Sequence, residues 1–260
     1  MKTTEPFNAG KTAEALMSWL KDYFGKAGDD VKAVVGMSGG KDSTVAAALL
    51  AMALGPDRVI GVSMPQGSQS LNDADRICGY LGIRFVTVNI GKACEELKDA
   101  ISAGGESLTA QSIQNIPPRV RMATLYAIGQ THNARVANTC NLSEDYIGYA
   151  TKFGDGAGDF SLFANLTVTE ILAIGDYIGL PYEWVHKTPD DGLPHSCPDE
   201  EKIGLTYAEL DVYIRTGNAP VGFVHDNPAE GLKVDKIDRM NRANLHKLQP
   251  MPSFRNGAAD

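Results

Sequence analysis

The densest group of residues suited to chemistry is one run of eight: Gly36-Met37-Ser38-Gly39-Gly40-Lys41-Asp42-Ser43. Adjacent glycines permit positive φ and let a ligand approach the backbone closely. The N–H groups of such a loop, together with the helix N-terminus behind it, make an anion site. Ser38 and Ser43 add hydroxyl donors. Asp42 would repel a bare phosphate, so its place at the helix start points to a Mg²⁺ ligand, because hard oxygen donors suit that ion. The plainer account is a glycine turn with Asp42 or Ser43 as N-cap, which needs no ligand. The strand–loop–helix context favours phosphate binding. The loop is not of the Walker type, since GxxxxGK[ST] is absent.

The elements that position this loop follow from hydrophobic spacing. Leu16, Leu20 and Phe24 predict an opening helix ending near Gly25, and Lys32 to Met37 a strand. Val45, Ala48, Leu49 and Met52 recur at i, i+3, i+4 and i+7, one face of a helix. A strand at Arg58 to Met64, a helix from about Asn72 to Leu81 and a strand at Arg84 to Ile90 come next. Pro117-Pro118 suits the first turn of a helix reaching about Thr131, and Arg135 to Asn138 reads as a strand. Tyr149 to Phe160 is glycine- and aspartate-rich and reads as loop; Val168, Ile171, Leu172 and Gly175 line a further helix face. Lys187 to Asp199 reads as a long loop, and the C-terminal third as helical with a proline-bearing tail. Alternating strands and helices imply an α/β fold, a doubly wound parallel sheet flanked by helices and Rossmann-like. Without repeats, linkers or a composition break, one domain over residues 1–260 is expected.

Composition removes several classes of function. A formal net charge of −8 and a pI near 5.2 argue against a nucleic-acid partner, while leaving nucleotides open. No apolar run has the roughly 20 residues that span a bilayer. Residues 1–10 do not resemble a signal peptide, so no membrane partner and a cytoplasmic location are expected. Cys78, Cys94, Cys140 and Cys197 lie far apart without a CxxC pair, which suggests buried thiols rather than zinc or disulfides.

The SGGxDS loop resembles that of the N-type ATP pyrophosphatases, whose fold is adenine nucleotide alpha hydrolase-like. Later blocks narrow the resemblance to the NAD synthetases. They are Asn115 to Met122, Asn138 to Glu144 and Gly148 to Asp159, then Lys187-Thr188-Pro189, Leu193, Asp199-Glu200, Gly204, Tyr207 with Asp211, and His246-Lys247 before Pro250. In order, they cover about Val34 to Pro252.

That resemblance implies ATP-dependent amidation of deamido-NAD by ammonia through an adenylated intermediate, giving NAD, AMP and pyrophosphate. It implies Mg²⁺ held by Asp42 and Glu144. It also implies ATP contacts from Gly36, Met37, Ser38, Gly39, Gly40, Lys41, Asp42, Ser43 and Thr139. Arg119, Lys152, Asp159, His246 and Lys247 would contact deamido-NAD, and Asp42, Lys152 and Asp155 would be the catalytic set. Taken singly, these residues also have plain readings: Arg119 a solvated helix residue, Lys152 or His246 a surface group, Glu144 an acid in a helix first turn, and Asp155 turn chemistry. The resemblance further implies a homodimer, with the helix of Arg119 to Tyr126 as a candidate interface. The phosphate loop starts at residue 36, so no glutaminase domain is expected, and free ammonia, or ammonia from a separate partner, would be the nitrogen source.

Two positions depart from the family pattern. Val168 stands where a lysine usually reaches the phosphates, and Asp190 with Asp191 follows Lys187-Thr188-Pro189 where Ser or Thr is usual. Lys41 is the candidate replacement charge and Asp190 a candidate second metal ligand. The alternatives are a related adenylating ligase or amidotransferase acting on another carboxylate, or a non-catalytic nucleotide sensor. Retention of Asp42 and Glu144 argues against the sensor. A tRNA-thiolating enzyme is disfavoured by the acidic balance.

Overall fold

Short strands of small and β-branched residues, buried on both faces, make the middle of this molecule. The structure is a computed structural model that describes residues 6–67, 73–187, 200, 204–218 and 228–254, with 228–233 described by their backbone. The strands are β1 (Lys32–Gly36), β2 (Val59–Ser63), β3 (Arg84–Thr87), β4 (Ala134–Asn138) and β5 (Phe160–Ser161). They form one sheet in the order β3-β2-β1-β4-β5, and every neighbouring pair is parallel. In register, Val34 pairs with Ile60 on one side and Val136 on the other. These three residues face one core, while Ala33, Val35, Val59 and Ala137 face a second. A parallel sheet of this kind must be covered on both faces.

The helices in chain order are α1 (Ala9–Ala27), α2 (Lys41–Leu54), α3 (Ala74–Leu81), α4 (Gly91–Ala103), α5 (Ala110–Gln114) and α6 (Ile116–Thr131). After these come α7 (Leu142–Ile147), α8 (Val168–Tyr177), α9 (Tyr182–Val185), α10 (Tyr207–Thr216) and α11 (Pro228–Leu248). Leu20 and Phe24 of α1, Val45 and Leu49 of α2, Ile77 of α3 and Ile171 and Ile174 of α8 cover one face. Cys94 of α4 and Met122 and Leu125 of α6 cover the other. Each fully buried Leu, Ile or Phe contributes about 1.5–3 kcal/mol.

From β1 the chain steps outward to β2 and β3 with α2 and α3 on one face. It then crosses under the sheet through α4 to α6 and returns to β4, on the opposite side of β1. Right-handed crossovers require that change of face when the direction reverses. The reversal opens a crevice at the carboxyl ends of β1 and β4, where open α/β sheets take their ligands.

Differences from the expected boundaries have local causes. Helix α1 runs past Gly25 to Ala27 and stops at Gly28 (φ 128°), whose N–H returns to Phe24 O. One exposed glycine costs only about 1 kcal/mol inside a helix, too little to end it. Strand β3 ends at Thr87 rather than Ile90. The loop expected over Tyr149 to Phe160 ends in the two-residue β5, and α4, α5 and α7 were not anticipated. Of the long loop after Lys187, residues 188–199, including Asp190 and Asp191, lie outside the described residues, as do Asn72 and Cys197.

Candidate functional site

The eight-residue loop sits in the crevice. Gly36 ends β1, and Met37 N–H still reaches across to Val62 O at 2.8 Å, so the loop leaves a fixed strand end. Gly39 turns the chain with φ +77°, a conformation that favours glycine. Gly40 is the N-cap of α2 and has no side chain to offer, so neither Asp42 nor Ser43 caps the helix. Ser43 Oγ donates to Gly40 O at 3.0 Å and lies 3.2 Å from Ser38 Oγ. Thr44 Oγ1 also donates to Gly40 O, at 2.8 Å. The hydroxyls therefore brace the loop from within.

Asp42 is divided between two situations. Its Oδ2 accepts Lys41 Nζ at 3.1 Å, while its Oδ1 is buried with no hydrogen-bond partner. Such an atom carries a desolvation cost of about 1–3 kcal/mol, more for a charge, that a cation would relieve.

The neighbouring strand supplies more acids. Thr139 directly follows β4, and Asn141 caps the short α7 by accepting Glu144 N–H at 2.9 Å. Glu144 thus does sit in a helix first turn, half-buried. Cys140 reports what surrounds it: burial pushes its thiol well above 9, and Asp155, Asp145, Glu144 and Asp42 push it further. Four carboxylates from three segments therefore bear electrostatically on the Cys140 thiol. Burial and then Asp155 raise Asp145 to about 6, and its Oδ1 is buried without a partner. Asp155 is also raised, by the protein packed around its carboxyl, against Thr151 N–H at 2.9 Å and the charge of Lys247. The residue as a whole keeps an exposed face toward solvent, which screens its charge.

No cluster of three or more His, Cys, Asp or Glu forms a ready metal cage among the described residues. Mg²⁺ needs none, since it binds through one or two carboxylates and fills its octahedron with waters and phosphate oxygens. The orphaned Asp42 oxygen and the surrounding negative charge fit that ion.

The other predicted residues meet at one rim. Arg119 Nε donates to Lys152 O at 3.3 Å, and Lys152 Nζ donates to His246 O at 2.6 Å. Lys247 Nζ donates to Gly148 O at 2.6 Å. Residues 119, 152 and 246 lie far apart in sequence, yet each touches the next. Phe153, with φ +61° and 61% of its surface exposed, lies 5.4 Å beneath the Lys152 ammonium. Asp159 stands apart. Its carboxylate accepts Val136 N–H at 2.7 Å and Tyr126 Oη at 3.4 Å, and it shares the walls of a cavity of about 320 Å³ with Lys247, Asp145 and Asn138.

The sequence profile of the NAD synthase family matches residues 12–251. The chain belongs to that family. It is 35% identical over 246 residues to the NH₃-dependent NAD⁺ synthetase of Carboxydothermus hydrogenoformans, covering 92% of this chain and 95% of the relative. Among solved structures, the NMN synthetase of Francisella tularensis superposes with a TM-score of 0.81 at 29% identity, covering 96% of this chain and all of that one. The NH₃-dependent NAD synthetase of Campylobacter jejuni superposes at 0.75 with 26% identity and the same coverage.

In this chain Val168 offers nothing to a phosphate. It is 4% exposed among Ile147, Tyr207 and Leu210, and its N–H donates to Ser143 Oγ at 3.0 Å. Three contributors to the site escaped the sequence reading. Arg121, mostly buried, donates from Nε to Met64 O at 3.2 Å and interacts with Asp155. Asp145 follows the expected Glu144 but had no motif of its own. Ser143 joins α8 to Asp211 of α10. The signal available for Ser143 and Asp145 was Asn141-x-x-Glu144 closed by Gly148, the mark of a short capped helix.

Proposed function

We propose that the protein makes NAD by amidating deamido-NAD with ammonia, with ATP consumed to AMP and pyrophosphate. A carboxylate resists attack until one oxygen becomes a good leaving group, and adenylation provides that. The loop backbone and the start of α2 would hold the triphosphate, with Ser38, Ser43, Lys41 and Thr139 around it. Asp42 and Glu144 would hold Mg²⁺, whose charge offsets the repulsion between the joining anions. Arg119, Lys152, His246, Lys247 and Asp159 would receive the dinucleotide, with Lys152 and Asp155 closest to the reacting carboxyl. The observation that carries this reading is that Arg119, Lys152 and His246, far apart in sequence, meet in one chain of contacts.

The likeness to an NMN synthetase favours one second reading: the same chemistry on nicotinate mononucleotide. A steady-state assay with Mg-ATP, ammonium and either acid separates them. NAD formed one-to-one with AMP, at a kcat/KM well above that for the mononucleotide, supports the main reading; the reverse ranking replaces it. ATP binding without turnover of either acid would indicate a sensor. We place the reaction in the cytoplasm, and the protein as a homodimer through the Arg119 to Tyr126 face of α6. Sedimentation showing only a monomer would remove that interface. No helix among the described residues is long and apolar enough to cross a membrane.

A further inference from the structure

Lys41 breaks a local rule. It is the first residue of α2, where the helix dipole disfavours a cation. A lysine there would ordinarily extend its ammonium into water. Instead only 11% of the side chain is exposed, and Nζ turns back to Asp42 Oδ2 at 3.1 Å, on a side chain itself 18% exposed. The ammonium also lies 5.8 Å from the centroid of the Tyr207 ring. Tyr207 is the first residue of α10 and is buried beside Val168, the first residue of α8. The charge is therefore held at the mouth of the loop, between a carboxylate and an aromatic face. The second oxygen of that carboxylate, Oδ1, is buried and unpartnered.

We propose that Lys41 is an exchangeable counter-ion of the phosphate loop. In the nucleotide-free protein it neutralises Asp42. On loading, it yields that carboxylate to the divalent cation and turns, across the Tyr207 ring, to the terminal phosphates of ATP. The proposal rests on the reading that this loop binds Mg-ATP. In both states Asp42 keeps a cationic partner, the Lys41 ammonium in the first and the divalent cation in the second. A lysine suits the exchange, because its compact ammonium swings on a flexible stem where the planar fork of arginine would hold a carboxylate bidentately.

The exchange has consequences of opposite sign. Lys41 competes with the metal for Asp42 when nucleotide is absent, and assists the nucleotide when it is present. The test uses Lys41→Met and Lys41→Gln with two ligands. Free Mn²⁺ is followed by electron paramagnetic resonance on nucleotide-free protein, and α,β-methylene-ATP with Mg²⁺ by calorimetry; circular dichroism checks folding. In both variants Mn²⁺ should bind about three- to tenfold more tightly, and the nucleotide analogue about tenfold or more weakly. Weaker analogue binding with unchanged or weaker Mn²⁺ binding would make Lys41 a plain phosphate ligand and overturn the exchange. Unchanged binding of both would remove Lys41 from the site. If the unaltered protein bound no analogue at all, the reading of the loop would fail, whereas tighter Mn²⁺ binding in the variants would still report the contest for Asp42.

Discussion

The two halves of the site are built in different ways. The phosphate-loop half is contiguous in sequence, hung from the end of a central strand and braced by its own hydroxyls. The rim half is assembled from residues 119, 148, 152 and 246–247, and is joined by lysine and arginine side chains resting on backbone carbonyls. The first resembles a fixed cradle. In the second, every link ends on a carbonyl that a ligand's oxygens can replace. The lesson is that one half is preorganised by the sheet, while the cations of the other rest on the protein's own carbonyl oxygens.

The contrast can be broken most severely at Asp42. Asp42→Asn keeps the shape but removes the charge, so kcat should fall about 10²–10³-fold, as when a preorganised electrostatic contact is lost. A variant with near-normal turnover would take Asp42 out of the metal site. Next comes Gly148, which has φ +80° and where a Cβ would lie 1.9 Å from Asn244 Cγ. Gly148→Ala must push α11 away from α7 at a cost of about 2–4 kcal/mol, read by urea unfolding. If the halves are separate, KM for the dinucleotide should rise more than KM for ATP. Lys152→Met is the milder probe of the same idea, with about a tenfold higher KM for the dinucleotide and an unchanged one for ATP. Equal effects on both substrates would merge the two halves into one.

The same contrast explains what could be read from the sequence. The strands around the loop announce themselves through valine runs, and the loop through its glycines, so both were legible from spacing alone. The α/β alternation and the helix beginning at Pro117-Pro118 were recovered for the same reason. The rim was legible only as a resemblance, because Lys152 and His246 have no periodicity that joins them. Their contact depends on α11 packing against α7, which rests on Asn241 and Asn244 donating to the carbonyls of Tyr146 and Ile147. Helix α7 was missed because six residues are too few to show a helical period; only its caps mark it. The burial of Val168 was foreseeable from its apolar stripe, whereas the partner of its N–H was not.

The smallest expected effect lies between the halves, where α8 starts. Ser143 Oγ donates to Asp211 Oδ1 at 2.5 Å and accepts Val168 N–H, while Asp211 Oδ2 accepts Thr169 N–H at 2.8 Å. A buried pair from α7 and α10 thus satisfies the first amides of α8. Ser143→Ala leaves Val168 N–H unpaired and should cost about 1–2 kcal/mol. Burial raises the Asp211 carboxyl above 3.8, partly offset by the Ser143 hydroxyl and the Thr169 amide. A carboxyl raised in the folded state binds more protons folded than unfolded, so its contribution falls as pH climbs from about 4 through the raised value. The stability difference between wild type and Asp211→Asn should therefore move in favour of the asparagine variant from pH 4 to pH 7. A difference that moved the other way would mean that the amides of α8 and the Ser143 hydroxyl outweigh burial. The start of α8 would then belong with the preorganised half of the site.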